Sequence, residues 1–284
     1  MLIMFFRILW RAVAFCLLIA GLTFATGQLA LAQSPSQVNE VISVEVVPGG
    51  VDEDGRHIAG LRFDLRAGWK TYWRSAGSAG IAPRFDWSAS DNIETVTPVW
   101  PRPAVFHQAG QRAIGYDQDF VLPLVIVPQV EGQPIRLSGT LDLGVCADIC
   151  LPARLSVAAD LTDDAPPDPS VRTALADQPI HLDLNARCAL RPTEDGAVLT
   201  GVLDVPPLKG PEIVVFEVPD ARLWVTDASV LRRGEQLVAQ SRLMIGGGQQ
   251  VDINRDQIRI TVIGRTTAIE TTGCKARQSA AEYR

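Results

Sequence analysis

Two cysteines, Cys146 and Cys150, stand three residues apart at the junction of two strand-like runs. Apolar and polar residues alternate from Ile135 to Cys146, and again from Cys150 to Leu161. Such alternation is typical of half-buried strands, because successive side chains point to opposite faces of a sheet. If residues 147–149 form the loop of a hairpin, the two sulfurs lie opposite each other on the solvent-facing side, within reach of a disulfide. A bridge that forms easily and stays accessible to another protein suits thiol–disulfide exchange.

The N-terminal segment has the layout of a secretory signal peptide. Arg7 and Arg11 precede an apolar stretch from Ala12 to Ala25, and Ala30-Leu31-Ala32 provides small residues for cleavage. We predict that residues 1–32 are removed, Cys16 with them, and that the remaining chain is soluble and exported. Because disulfides persist in a bacterial periplasm, a periplasmic location is expected.

The four cysteines outside this segment allow three pairings. In the chain-entropy picture, a bridge from Cys188 to Cys274 closes a loop of about 87 residues and stabilises the fold by about 4.6 kcal/mol, against roughly 2 kcal/mol for the short loop from Cys146 to Cys150. We therefore predict that Cys188 and Cys274 form the structural disulfide and that the short-loop pair is the labile one.

The charge balance predicts an acidic protein, and the pattern of short strand-like runs predicts the all-β class. The formal net charge is −6 and becomes more negative without the two N-terminal arginines, which argues against nucleic acid as a partner. Short strand-like runs between turn residues predict two β-sandwich domains, residues 34–160 and 180–277. A Pro- and Asp-rich stretch, residues 161–179, is predicted to be the linker, with a short helical run at 171–176.

Two other functions fit the same cysteines. A Cu(I) site made of the two thiolates and one histidine is one alternative; none of the three histidines lies close in sequence to the pair, but His107 could approach through folding. Alternatively, both bridges are structural and the protein is a binding or scaffolding sandwich. No resident metal or cofactor is predicted, since Gly246-Gly247-Gly248 lacks the surroundings of a phosphate-binding loop.

Aromatic residues cluster in the first predicted domain, and most are expected in its core. An exposed subset would shield the thiols, and residues 101–110 are predicted to form a loop that carries such a shield. The candidates for this cap or for a partner-binding surface are Phe106, His107, Tyr72 and Tyr116.

Three segments resemble a known family, the periplasmic N-terminal domain of the thiol:disulfide interchange protein DsbD and the related ScsB-type proteins. They are residues 144–152 around the cysteines, residues 68–74 (GWKTYWR) and residues 116–124 (YDQDFVLPL). The similarity spans roughly residues 40–160 and implies an immunoglobulin-like fold. ScsB-type proteins carry two such β-domains, which accounts for residues 180–277.

The resemblance also implies a function and partners. In this family the two cysteines, here Cys146 and Cys150, accept electrons from thioredoxin-like and membrane-embedded modules and pass them to periplasmic oxidoreductases. Full-length members continue into transmembrane helices, whereas this sequence ends at Arg284. We therefore expect a separate membrane-embedded thiol reductase as electron donor, and periplasmic thioredoxin-like or disulfide isomerase proteins as acceptors. The predicted activity is that of a thiol–disulfide oxidoreductase, and either cysteine remains possible as the attacker.

Overall fold

The structure is a computed structural model that describes residues 38–276, except residues 79, 109, 163, 221 and 247–252. The predicted signal peptide lies outside the described residues. Val38–Arg284 form one compact unit by their contacts. Within the described part, no helix is long and apolar enough to cross a membrane.

The described residues form twenty strands and one α-helix. The strands before the helix are β1 (Ile42–Val51), β2 (His57–Leu65), β3 (Lys70–Tyr72), β4 (Arg84–Asp86), β5 (Ile93–Pro98), β6 (Ala104–Gln108), β7 (Gln111–Tyr116), β8 (Phe120–Pro128), β9 (Ile135–Cys146) and β10 (Cys150–Leu161). After helix α1 (Pro169–Ala176) come β11 (Ile180–His181), β12 (Ala186–Thr193), β13 (Gly196–Asp204), β14 (Ile213–Glu217), β15 (Trp224–Val225), β16 (Ser229–Arg233), β17 (Gln236–Met244), β18 (Arg259–Ile263), β19 (Ala268–Thr272) and β20 (Lys275–Ala276). A 3₁₀ turn, Arg255–Gln257, precedes β18.

The strands before α1 form a sandwich of two sheets. One sheet has the order β1-β2-β8-β5 and the other the order β10-β9-β3-β7-β6, with β4 paired to β9. Apolar side chains alternate along these strands and meet between the sheets, as Leu61, Leu122 and Leu141 do. We call this unit the first sandwich.

The strands after α1 form a second sandwich. Its sheets have the orders β11-β19-β18-β14 and β15-β17-β13-β12-β20, with β16 paired to β17. The disulfide between Cys188 and Cys274 lies within its core, where the two residues are 0% and 6% exposed. The predicted all-β sandwich class is confirmed. The predicted boundaries 34–160 and 180–277 remain a prediction.

The predicted linker is not an extended connector along its whole length. The predicted helical run, residues 171–176, is part of the longer helix α1. Asp168 caps the N-terminus of this helix by accepting a hydrogen bond from the Ser170 backbone N–H. Val171 is buried between Val47 and Val121 of the first sandwich, and Arg62 forms an ion pair with Asp168. An apolar residue on one helix face thus packs this segment against the first sandwich.

The two sandwiches pack against each other through a small apolar cluster. Trp73, Ile114 and Tyr116 of the first sandwich meet a patch on the sheet β11-β19-β18-β14 of the second. The partners there are Val215, Ile263 and Ala268. These contacts bring the second sandwich close to the chain that follows β3.

Candidate redox site

The predicted hairpin is present, and it places the two cysteines opposite each other. Strands β9 and β10 pair in a register that aligns Cys146 with Cys150, and residues 147–149 form the loop. The two cysteines form a disulfide with a Cα–Cα distance of 4.1 Å. Leu143 and Leu151 point into the core, as the alternation predicts.

The two sulfur-bearing residues differ sharply in accessibility. Cys146 is 0% exposed, whereas Cys150 and its neighbour Ile149 are exposed, Ile149 at 63%. The expectation that both cysteines face solvent is therefore wrong for Cys146. Its side chain does lie on the outer face of the sheet, but other parts of the chain cover that face.

The cover over Cys146 is a small cluster of apolar and aromatic side chains. Ala76, Ala113 and Tyr72 pack with Cys146, and the half-buried Phe106 lies against them. The cover comes from three separate stretches of sequence, so strand alternation alone does not reveal it.

Tyr72 is the polar member of this cluster and contacts the disulfide directly. Its hydroxyl donates a hydrogen bond to the Sγ of Cys146 at 2.7 Å and lies 3.7 Å from the Sγ of Cys150. Burial raises the pKa of the Tyr72 phenol, so the group keeps its proton at neutral pH. A neutral donor beside Cys146 stabilises negative charge on that sulfur when the disulfide opens.

The predicted loop at residues 101–110 is partly a strand. Residues 104–108 form β6, which pairs with β7 in a hairpin. Phe106 faces the disulfide cluster, and the ring centroids of Phe106 and Tyr72 are 6.4 Å apart. His107 is exposed and does not belong to the cluster around Cys146, because alternation along β6 separates it from Phe106.

Tyr116 is not part of this site. It is buried in the cluster that contacts the second sandwich, stacks on Phe120 with ring centroids 3.9 Å apart, and donates a hydrogen bond to the Pro101 carbonyl at 2.9 Å. Burial raises the pKa of Tyr116 well above its usual value. These contacts of Tyr116 do not involve the disulfide, and its role as a cap or partner-binding residue stays a prediction.

Two residues at the site were missed from the sequence. The side-chain amide of Gln108 donates a hydrogen bond to the Ala147 carbonyl in the loop between the cysteines. Lys70 lies opposite Cys146 in the β3–β9 register, and its ammonium group lies 5.7 Å from the ring centroid of Phe106. Gln108 follows Phe106 by two residues, and residues two apart on a strand share a face. This spacing is the sequence signal that would place Gln108 on the same side of the strand as Phe106.

A Cu(I) site would need a further ligand beside the two sulfurs, and the candidate for it, His107, is exposed and outside the cluster around Cys146. Among the residues that the structure describes, no group of three or more His, Cys, Asp and Glu side chains is placed to hold a metal ion. The described covalent and hydrogen-bond contacts of the two sulfurs are with each other and with Tyr72.

The family comparison agrees with this geometry. A family model described as "Thiol:disulfide interchange protein DsbD, N-terminal" matches residues 36–161. The match covers the first sandwich, including Cys146, Cys150 and Tyr72, and it confirms the resemblance found in the sequence. This segment is therefore similar to a thiol–disulfide interchange domain.

The comparison with solved structures extends the likeness in fold to the second sandwich. The N-terminal periplasmic domain of ScsB from Proteus mirabilis matches with a TM-score of 0.66 and 22% sequence identity, over 89% of this chain and 98% of that one. InvD of Yersinia pseudotuberculosis also aligns, over 86% of this chain and 60% of that one, but its TM-score of 0.19 and identity of 11% carry no weight. No curated protein matches the chain.

Proposed function

We propose that the protein is a periplasmic thiol–disulfide interchange protein that passes reducing equivalents through Cys146 and Cys150. The observation that carries this proposal is the unequal disulfide in a segment that matches the DsbD N-terminal family. One of its cysteines is exposed at a strand start and the other is buried under Tyr72 and Phe106. In the chain-entropy picture, a purely structural bridge over so short a loop stabilises the fold by roughly 2 kcal/mol, less than half of the about 4.6 kcal/mol for the Cys188–Cys274 loop.

We propose different roles for the two sulfurs, on the basis of their unequal exposure. An incoming thiolate has access to Cys150, since that residue is exposed and follows the exposed Ile149. Cys146 is covered and receives the hydrogen bond from Tyr72. Cys150 is therefore the sulfur that exchanges with partners, and Cys146 is the leaving and resolving sulfur.

Each half of the relay balances in electrons and protons. A donor thiolate attacks the Sγ of Cys150, the Cys146–Cys150 bond breaks, and Cys146 leaves as a thiolate. The second thiolate of the donor then attacks the donor sulfur in this mixed disulfide. The donor leaves as a disulfide, and both cysteines of this protein are reduced by two electrons, with two protons taken up in total.

The second half runs the same chemistry toward an acceptor. The Cys150 thiolate attacks an acceptor disulfide and forms a mixed disulfide, and one acceptor sulfur leaves as a thiolate. Cys146 then attacks the Sγ of Cys150, which restores the Cys146–Cys150 bond and releases the acceptor with two thiols. Tyr72 donates a hydrogen bond to Cys146 whenever that sulfur carries charge.

The partners are proposed by class. The donor is a membrane-embedded thiol reductase, and the acceptors are periplasmic thioredoxin-like or disulfide isomerase proteins. Two features support a periplasmic setting: the predicted signal peptide, and the likeness in fold to a periplasmic domain of ScsB.

Single-cysteine variants expressed in the native host test the proposal. Cys146→Ser leaves the exposed Cys150 without its resolving partner, so mixed disulfides with partner proteins accumulate on non-reducing gels and can be identified by mass spectrometry. Cys150→Ser leaves only the covered sulfur and gives far fewer adducts. If Cys146→Ser gives no adduct that a reductant dissolves, the relay is excluded and the bridge is structural.

A further inference from the structure

The chain that follows β3 covers the buried cysteine. In residues 73–78 and 80–82, which we call the cover segment, Ala76 packs with Tyr72 and Cys146. Gly80 leaves no room for a side chain, since a Cβ atom there would lie 2.5 Å from the Cβ of Ala76 and 2.6 Å from the Tyr72 ring. One side of the cover segment is therefore fitted closely to the redox site.

The cover segment also lies over β9 beside Cys146. A Cβ atom on Gly144 would come within 2.9 Å of the Ile81 side chain and 3.1 Å of the Tyr72 ring. Ile81 itself is 49% exposed. The segment thus covers part of the outer face of β9 beside Cys146, together with Ala113 and Phe106 of the β6–β7 hairpin.

The other side of the cover segment is held by the second sandwich. The guanidinium of Arg74 donates to Glu217 in a bidentate arrangement, with Nε–Oε1 at 2.9 Å and Nη2–Oε2 at 3.0 Å. The same Nη2 also donates to Glu270. The side chains of Arg74, Glu217 and Glu270 are 14%, 22% and 17% exposed, so solvent screens this ion pair only in part.

Neighbouring contacts fix the geometry of Arg74. Its guanidinium stacks on the Trp73 ring at 3.9 Å from the ring centroid, and the Trp73 ring belongs to the apolar cluster between the sandwiches. Glu270 also accepts a hydrogen bond from the Thr261 hydroxyl at 3.1 Å. A further polar contact joins Ser78 of the cover segment to Asp227 at 2.9 Å.

We propose that Arg74 is a positioning residue through which the second sandwich holds the cover segment over Cys146 and confines thiol exchange to Cys150. This inference rests on the proposed relay and gives the second sandwich a part in it. One guanidinium bridges two carboxylates of the second sandwich, whereas Arg259, the other positive partner of Glu270 at 3.7 Å, belongs to the second sandwich itself. Removal of the Arg74 guanidinium therefore takes away the ion pairs that join the cover segment to the second sandwich. The loss of these ion pairs, together with the lost stacking on Trp73, displaces the cover segment.

The test compares alkylation of the two cysteines in the reduced, full-length exported protein. In Arg74→Gln, iodoacetamide labels Cys146 several-fold faster than in the wild type, while the rate at Cys150 stays within about twofold, as followed by peptide mass spectrometry. Arg74→Lys keeps the charge but loses the bidentate contact, and gives an intermediate rate. Arg154→Gln is the matched control, because it removes an exposed bidentate pair with Asp142 on the β9–β10 hairpin itself, and it leaves both rates unchanged.

A double variant provides a second test in case Arg74→Gln does not fold. Glu217→Gln with Glu270→Gln keeps the guanidinium and removes both carboxylate charges, and it also raises the Cys146 rate. Circular dichroism with thermal unfolding identifies the variants that are folded at the labelling temperature. An unchanged Cys146 rate in folded Arg74→Gln, or in the folded double variant if the single one does not fold, overturns the proposal. This measurement uses no partner protein, so its failure is distinct from a failure of Cys146→Ser to trap adducts.

Discussion

At the scale of single residues, the disulfide is asymmetric in both access and electrostatics. Cys150 is exposed and Cys146 is 0% exposed. The Tyr72 hydroxyl is closer to Cys146, at 2.7 Å, than to Cys150, at 3.7 Å. The hydrogen bond is stronger when its acceptor is a thiolate than when it is a disulfide sulfur, because charge strengthens hydrogen bonds. Tyr72 therefore stabilises the reduced form more than the oxidised form.

Tyr72→Phe is expected to make the disulfide harder to reduce. A hydrogen bond to a charged group contributes about 1.5 kcal/mol or more, and about 1.4 kcal/mol corresponds to about 30 mV for a two-electron couple. The reduction potential of the Cys146–Cys150 pair should thus become more negative by about 30 mV. Equilibration of each variant with defined ratios of reduced and oxidised dithiothreitol measures this shift.

Tyr116→Phe is the matched control for that measurement. Its hydroxyl also donates a buried hydrogen bond, but to the Pro101 carbonyl, away from the disulfide. The expected effect is a loss of about 1 kcal/mol in the free energy of unfolding, with an unchanged potential. Equal shifts of the potential in the two variants would contradict a specific role for Tyr72.

At the scale of elements, strand order explains why the two cysteines differ. In the sheet order β10-β9-β3-β7-β6, the described pairing of β10 is with β9 alone, whereas β9 also pairs with β3 and β4. Cys150 begins the edge strand and is exposed, while Cys146 ends an inner strand. Tyr72 and Lys70 come from the neighbouring β3, and the β6–β7 hairpin supplies Phe106.

Helix α1 gives a prediction for the pH dependence of stability. Hydrogen bonds from the Ser170 side chain and backbone N–H, together with Arg62, lower the pKa of Asp168 from 3.8 to about 2. A carboxylate whose pKa is lower in the folded state stabilises the fold above its unfolded pKa, and this contribution disappears as pH falls toward the folded pKa. The window is therefore about pH 4 to pH 2.

Asp168→Asn removes the charge but keeps a residue that can cap the helix. The wild type should exceed the variant in free energy of unfolding at pH 6, and this difference should shrink between about pH 4 and pH 2. Ser170→Ala should move the loss to higher pH, because the largest cause of the lowered pKa is removed. Urea unfolding at several pH values measures these free energies. A difference between the wild type and Asp168→Asn that stays constant down to pH 2.5 would contradict the prediction.

The local pattern of the sequence predicts the strands better than it predicts which side chains pack around them. The alternation around the cysteines predicts the hairpin, its register and its three-residue loop, because each is a local property. The same alternation predicts that Cys146 faces solvent, which is wrong because Ala76 and Phe106 come from distant parts of the sequence. Residues 101–110 are predicted to be a loop, although residues 104–108 form a strand that pairs with β7.

At the scale of the whole molecule, the two disulfides occupy unlike places. Cys146 and Cys150 lie at the end of a sheet in the first sandwich, with one sulfur-bearing residue exposed. Cys188 and Cys274 lie inside the second sandwich and join positions 86 residues apart. Attack by a thiolate requires access to a sulfur, so opening the second bridge requires at least partial unfolding.

Stepwise reduction of the protein should therefore open the bridges one at a time. Low concentrations of a small thiol, followed by alkylation and peptide mapping, should label Cys150 and, more slowly, the covered Cys146, while Cys188 and Cys274 stay unlabelled. Addition of guanidinium chloride should then make the second pair reactive, because unfolding exposes it. The long loop also gives this bridge the greater effect on stability, up to about 4.6 kcal/mol in the chain-entropy picture, so Cys188→Ser with Cys274→Ser should lower the midpoint of unfolding clearly. Labelling of Cys188 or Cys274 under native conditions, at the thiol concentration that opens the first bridge, would show that burial does not protect the second one and would reverse the roles assigned to the two pairs.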